Sequence, residues 1–103
     1  MIAYDGDRII VQGTVTIDNV VTITQQGMAL LDQRHSTIDL TEVVEVDSTT
    51  ISMLLEWLRI ARQKGYQLQF INLPGNLESL IQLYGIAGLI PVTMNHTTVQ
   101  STA

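Results

Sequence analysis

The chain has 103 residues, a formal net charge of −5 and no cysteine. This length allows one hydrophobic core and excludes a second domain, and the lack of cysteine excludes disulfides, thiolate catalysis and cysteine-ligated zinc. Five basic residues against ten acidic ones also disfavour binding to nucleic acid or to an anionic membrane surface, since both require clustered Lys and Arg.

The N-terminal part predicts two short strands followed by a helix. Residues 8–17, "RIIVQGTVTI", are rich in β-branched side chains and fit two strands or a tight hairpin bent at Gly13. Asp18 is the predicted N-cap of a helix over residues 20–33, where apolar residues recur at helical spacing. The β-branched residues and Gly27 within this segment lower its helix propensity.

The rest of the chain alternates strands with helices. "TIDL" at residues 37–40 has the pattern of a short buried strand, and the longest helix is predicted over residues 49–64 with Gly65 after its last turn. "YQLQFINL" at residues 66–73 alternates as a strand. "PGNLESLIQLYGI" at residues 74–86 predicts a further helix, and "AGLIPV" is a candidate for a last short element.

This order predicts a single α/β domain with a mixed, mostly parallel sheet covered by about three helices. We assign it residues 1–92 and predict that the polar residues 93–103 form a disordered tail. The chain opens without the charged and apolar regions of a signal peptide, and no apolar run approaches the roughly 20 residues of a membrane span. We therefore expect a cytoplasmic domain without direct membrane insertion.

No pattern in the sequence predicts an enzyme. Neither His35 nor His96 has the neighbouring serine and carboxylate of a hydrolase triad, and the glycines form none of the common nucleotide-binding motifs. The carboxylates of Glu42, Glu45 and Asp47 lack the spacing of a calcium-binding loop. We expect no catalytic residue, no metal and no cofactor.

The segment with a functional interpretation is Asp47-Ser48-Thr49-Thr50, at the start of the longest predicted helix. A serine at a helix start accepts hydrogen bonds from the first helical amides and stabilises the helix by about 1 kcal/mol. The same place favours a phosphate, because free amides and the positive end of the helix dipole stabilise negative charge. Both roles, helix cap and phosphorylation switch, are open from the residues alone.

"TIDLTEVVEVDSTT", residues 37–50, resembles the central segment of STAS domains. There a strand ending in Asp-Leu-Ser/Thr leads through a valine-rich loop to Val-Asp-Ser/Thr and a helix. The matching residues are Ile38, Asp39, Leu40, Thr41, Val43, Val46, Asp47 and Ser48, and the element order agrees over residues 6–91. Thr50 and Ile51 depart from the Gly and Leu common in the family, and a side chain at Thr50 fills space that glycine leaves open to a partner backbone.

Two groups of STAS domains are similar to this chain. In the anti-sigma-factor antagonists, a partner kinase phosphorylates the hydroxyl after the aspartate. The MlaB type is the cytoplasmic subunit of an ABC complex that transports phospholipids and maintains outer-membrane lipid asymmetry, and "NLESLIQLYGIAGLIP", residues 76–91, resembles its ending. The resemblance implies a non-enzymatic subunit that binds the transporter ATPase at the inner membrane, with Ser48 as the functional hydroxyl. An antagonist switched by an anti-sigma kinase is the alternative.

The longest predicted helix carries two apolar groups when drawn at about 100° per residue. The stripe assigned to the sheet comprises Ile51, Leu54, Leu55, Leu58 and Ala61. The second group, Met53, Trp57 and Ile60, either packs under the neighbouring helix or the first strands, or docks a partner protein, since Trp and Met are enriched at interfaces. In the docking interpretation, it continues the surface that begins at Ser48.

Overall fold

The structure, a computed structural model, describes residues 1–32, 36–90 and 92–93. Within them the chain forms seven strands and three α-helices. The strands are β1 Ile2–Asp5, β2 Arg8–Val11, β3 Gly13–Val15, β4 Thr37–Asp39, β5 Val43–Val46, β6 Gln69–Ile71 and β7 Val92–Thr93. The helices are α1 Val20–Leu30, α2 Ser48–Lys64 and α3 Gly75–Leu83, and Ala87–Leu89 adds a short 3-10 helix.

Five strands form one sheet in the order β1-β2-β4-β6-β7. β1 runs antiparallel to β2, whereas the pairs β2–β4, β4–β6 and β6–β7 are parallel. β3 and β5 pair in parallel as a separate two-stranded sheet. The predicted α/β domain with a mixed, mostly parallel sheet and three helices is confirmed.

Two strands lie where the sequence predicts none. β1 precedes the predicted elements, and β5 replaces the valine-rich loop. β2 and β3 do not form a hairpin. β2 pairs with both β1 and β4, whereas β3 pairs with β5. At the other end of the chain, Thr93 is the last residue of β7. The other residues of the predicted tail, 94–103, lie outside the described residues.

Asn19 organises the turn before α1, where the sequence predicts Asp18 as a cap. The Asn19 side-chain amide donates to the carbonyl of Thr14 at 2.8 Å, and its oxygen accepts from the amide of Thr16 at 3.0 Å. Asp18 is exposed. The predicted cap is wrong, because this turn requires a side chain that both donates and accepts, which an ionised carboxylate does not.

The start and end of α2 agree with the prediction to within one residue. Gly65 follows the helix at φ 82°, a left-handed conformation that glycine adopts without steric cost. Its amide donates to the carbonyls of Ala61 and Arg62. Arg62 and Lys64 in the last turn stabilise the negative end of the helix dipole.

The core lies on the face of the sheet that carries Ile9, Ile38 and Phe70. These residues are neighbours on β2, β4 and β6 and are fully buried. Arg8 and Gln69 project from the opposite face. Arg8 is half-buried and Gln69 is exposed. The side chains of α2 therefore pack on one face of the sheet only.

Candidate functional site

Asp47 caps α2 and fixes the position of its first turn. One carboxylate oxygen accepts hydrogen bonds from the Thr49 amide, at 2.9 Å, and from the Thr49 hydroxyl. The other oxygen accepts from the amide of Ile17 at 2.9 Å. The Thr49 hydroxyl, followed by the Ile17 amide, holds the pKa of Asp47 below its usual value. A carboxylate therefore lies at the positive end of the helix dipole and ties α2 to the turn before α1.

Thr50 faces the interior of the domain and is 1% exposed. Its hydroxyl donates to the carbonyl of Val15 at 2.8 Å and accepts from the amide of Asp47 at 3.3 Å, which completes a capping box. Thr50 thus links β3 to the start of α2. Because this side chain fills the chain's own interior, the prediction that Thr50 takes part in a partner-binding surface is wrong.

Ser48 is the first residue of α2 and is exposed. It is not the cap, contrary to the sequence interpretation, because Asp47 precedes it and takes that role. Within the described residues, its hydroxyl makes no hydrogen bond. Of the four residues predicted for the site, only Ser48 has a solvent-exposed hydroxyl that makes no hydrogen bond within the described residues.

The surface around Ser48 is acidic. Asp18 and Glu45 are exposed on the neighbouring turn and on β5, and Asp47 adjoins Ser48 in the chain. The basic residues Arg62 and Lys64 lie in the last turn of α2, about 24 Å away at 1.5 Å per residue. This distribution favours a partner with basic groups opposite Ser48.

Exposed apolar side chains adjoin the same helix start. Ile17, whose amide binds Asp47, is 69% exposed, and Val21 in the first turn of α1 is 65% exposed. An isolated exposed apolar residue is normal on a monomer, but these two lie in and beside the turn that Asp47 ties to the helix start at Ser48. No sequence pattern predicts a role for them, because one apolar residue in a turn has no periodicity.

A groove of about 510 Å³ runs between α1 and α2. The side chains that line it include Val20, Val21, Met28, Thr49, Ser52 and Glu56. The α2 wall begins at Thr49, so the groove opens directly beside Ser48. The hydroxyl, the exposed apolar residues and the groove therefore form one continuous region.

Met53 and Trp57 belong to the core and not to an exposed docking face. They are 1% and 0% exposed, and the Trp57 indole N–H donates to the carbonyl of Thr24 in α1 at 3.0 Å. Ile60 is half-buried. The prediction of an exposed face at Met53 and Trp57 is wrong, because α1 lies alongside α2 and covers this side of the helix. The alternative of packing under a neighbouring helix is correct for both.

A second carboxylate, Asp39, lies buried at the end of β4. One oxygen accepts hydrogen bonds from the backbone amide of Thr41 at 2.9 Å and from its hydroxyl at 2.6 Å. The same oxygen accepts from the side-chain amide of Asn72 at 3.2 Å. The other oxygen pairs with Arg8 at 3.3 Å. Burial by itself raises the pKa of Asp39, but the hydrogen bonds and the charge of Arg8 outweigh it and hold the pKa below its usual value. The Asp-Leu-Thr motif therefore stabilises the turn after β4.

Within the described part of the chain, no group of three or more His, Asp or Glu side chains is placed to hold a metal ion. Both histidines, His35 and His96, lie outside that part. No helix formed by residues 1–32, 36–90 or 92–93 combines the length and apolar character needed to cross a lipid bilayer.

The sequence match covers β2 to β6, the three helices and the site at Ser48. A family model described as "Mlab, STAS domain" matches residues 3–91. The chain belongs to the STAS domain family. STAS domains are in general binding or regulatory modules rather than enzymes. No curated protein sequence matches the chain.

The fold is also similar to the solved structure of the anti-sigma factor antagonist SpoIIAA in its unphosphorylated form. The TM-score is 0.68 and the sequences are 14% identical, with 92% of this chain and 88% of that chain covered. At this level of identity the likeness shows a shared STAS fold and nothing about partners.

Proposed function

We propose that this STAS domain is a non-enzymatic accessory subunit that binds the ATPase of an ABC-type phospholipid transporter. The observation that carries this proposal is the exposed Ser48, whose hydroxyl has no partner within the described residues, at a fixed helix start. The "Mlab" description of the matching family favours the transporter ATPase as the partner. In this role the domain lies in the cytoplasm, at the inner membrane through its partner, and contributes to outer-membrane lipid asymmetry.

The geometry suits binding because the surface is already ordered. The hydrogen bonds that Asp47 accepts and the one that Thr50 donates to Val15 fix the first turn of α2 from two sides. Ser48 is therefore presented to a partner with little conformational entropy left to lose, and such preorganisation raises affinity. No bond-making step is needed for this role.

Ser48→Glu tests the proposal by adding a carboxylate to an acidic surface. Titration calorimetry with the transporter ATPase should show at least tenfold weaker binding, or about 1.4 kcal/mol. The free energy of unfolding of the domain alone should change by less than about 0.5 kcal/mol, since an acid is favourable in the first turn of a helix.

Ser79→Glu is the matched control, because Ser79 is an exposed serine on α3; it should leave the affinity unchanged. Equal affinity of the wild type and Ser48→Glu for the ATPase would remove Ser48 from the interface. No binding of the ATPase by the wild type would overturn the proposed partner.

A second function, phosphorylation of Ser48 by an anti-sigma kinase, is favoured by the same uncommitted hydroxyl. A phosphate at this position would be stabilised by the helix dipole, although Asp47 and Glu45 oppose it. Affinity purification from the native cytoplasm, with mass spectrometry of the Ser48 peptide, separates the two functions. The transporter function predicts an ABC ATPase and an unmodified peptide, whereas the switch predicts a kinase and a phosphorylated fraction.

A further inference from the structure

The groove between α1 and α2 has the length of a short helical ligand. Its α1 wall extends from Val20 to Met28 and its α2 wall from Thr49 to Glu56. At 1.5 Å per residue, the α1 wall is about 12 Å long and the α2 wall about 11 Å, which is close to two helical turns. A segment of two turns thus has walls on both sides along its whole length.

The lining excludes two common modes of peptide recognition. Addition of a β-strand requires a free sheet edge, but every side chain that lines the groove comes from α1 or α2. Recognition of a proline-rich segment requires an aromatic-lined groove, and no aromatic residue lines this one. An amphipathic helix in an apolar groove is the mode that the lining fits.

The charges at the mouth of the groove define the polarity of the ligand. Asp18 is exposed two residues before α1, and Asp47 immediately precedes the first turn of α2. At the far end, Glu56 is already paired with Arg59 at 2.6 Å. No Lys or Arg lines the groove. A cationic side chain is therefore best accommodated at the Ser48 end.

We propose that this groove receives an amphipathic helix of the partner protein, with its apolar stripe against Val21 and Met28 and a Lys or Arg directed toward Asp18 and Asp47. This inference rests on the proposed function, because it concerns the same partner and the surface adjoining Ser48. It assigns to Val21 an apolar contact with the partner, separate from any contact that the Ser48 hydroxyl makes. It also explains why an apolar side chain is exposed at the edge of the groove.

Val21→Arg, made in the full chain, tests the apolar contact with the ABC transporter ATPase as the probe. A long cation on the groove wall should weaken binding at least tenfold. The melting temperature should be retained, because Val21 is exposed and arginine has the higher helix propensity. Leu83→Arg is the matched control, since Leu83 is 75% exposed at the end of α3; it should leave the affinity within twofold.

Asp18→Asn tests the charge. It should weaken binding threefold or more at low salt, and the difference from the wild type should shrink at 1 M salt, where surface charges are screened. A photo-crosslinker in place of Gln25, which lines the groove, should capture an ATPase peptide that is helical and carries a basic residue.

Binding of the ATPase to the wild type and to Val21→Arg distinguishes failure of the groove proposal from failure of the proposed function. If the ATPase binds the wild type and Val21→Arg equally, the groove is not the contact, while the proposed function stands. If the ATPase does not bind the wild type at all, the proposed function itself is overturned. Self-association of the wild type that Val21→Arg abolishes would assign the groove to a second copy of this chain and overturn the partner helix.

Discussion

Gly27 in α1 lies against the indole ring of Trp57 in α2, with no room for a side chain between them. A Cβ atom at Gly27 would be 2.3 Å from Cζ2 and 2.8 Å from Nε1 of Trp57. Glycine inside a helix costs about 1 kcal/mol relative to alanine. The close approach of Trp57 explains why α1 nevertheless contains a glycine at this position.

Gly27→Ala should lower the free energy of unfolding by about 1–3 kcal/mol, because the added methyl group forces Trp57 or α1 to move. Urea denaturation measures the change. Gly75→Ala is the control, since an added Cβ there meets nothing within 4 Å. In a Trp57→Phe background, which lacks the larger ring, the cost of Gly27→Ala should be smaller. Equal costs in both backgrounds would contradict the contact.

Trp57→Ala should destabilise the domain by about 3–5 kcal/mol, since it removes a fully buried aromatic side chain and leaves a cavity. Thermal and urea unfolding measure the loss. Leu83→Ala, on an exposed side chain of α3, should have little effect. A Trp57→Ala protein with the wild-type melting temperature would show that Trp57 is not part of the core.

Thr50→Val retains the shape of the side chain and removes its hydroxyl. The carbonyl of Val15 loses this buried donor and the Asp47 amide its acceptor. The free energy of unfolding should fall by about 1–3 kcal/mol. Thr22→Val replaces an exposed threonine of α1 and should change stability by less than about 0.5 kcal/mol. Equal stability of the two variants would argue against the link between β3 and α2.

The pH dependence of stability should report on Asp39. Its pKa is lower in the folded than in the unfolded chain, so the unfolded chain binds protons first as the pH falls. The stabilisation is present above the unfolded value of about 3.9 and is lost as the pH decreases through the lower folded value. Urea denaturation between pH 7 and pH 2.5 should show a smaller loss for Asp39→Asn. Exposed Asp7→Asn should follow the wild type, and coincident curves for all three proteins would contradict the prediction.

The sequence predicts those parts of the fold that local patterns determine. The span of α2 follows from its long apolar periodicity and from Gly65, and β4 follows from the apolar residues of "TIDL". The Asp47-Ser48 boundary follows from the change of pattern at the helix start. Each of these signals is contained within a few residues, so no tertiary contact is needed to interpret it.

The parts that the sequence does not predict depend on distant contacts. β5 is a strand because it pairs with β3, about 30 residues earlier, and four residues are too few for a periodicity to stand out. The buried stripe of α2 is rotated toward Met53 and Trp57 and away from Leu55, which is 37% exposed. This rotation arises because α2 contacts both the sheet and α1. The apolar periodicity of α2 alone does not indicate which helix packs beside it.

The hydrogen bond from the Ile17 amide to Asp47 joins the turn before α1 to the first turn of α2. The Asp47 carboxylate consequently ties the α1 end of the groove to the helix start that carries the Ser48 hydroxyl. Effects on partner binding at Ser48 and at Val21 should then be additive, since each side chain acts from a fixed frame. Replacement of Asp47 should instead weaken both contacts together, because it releases the frame itself.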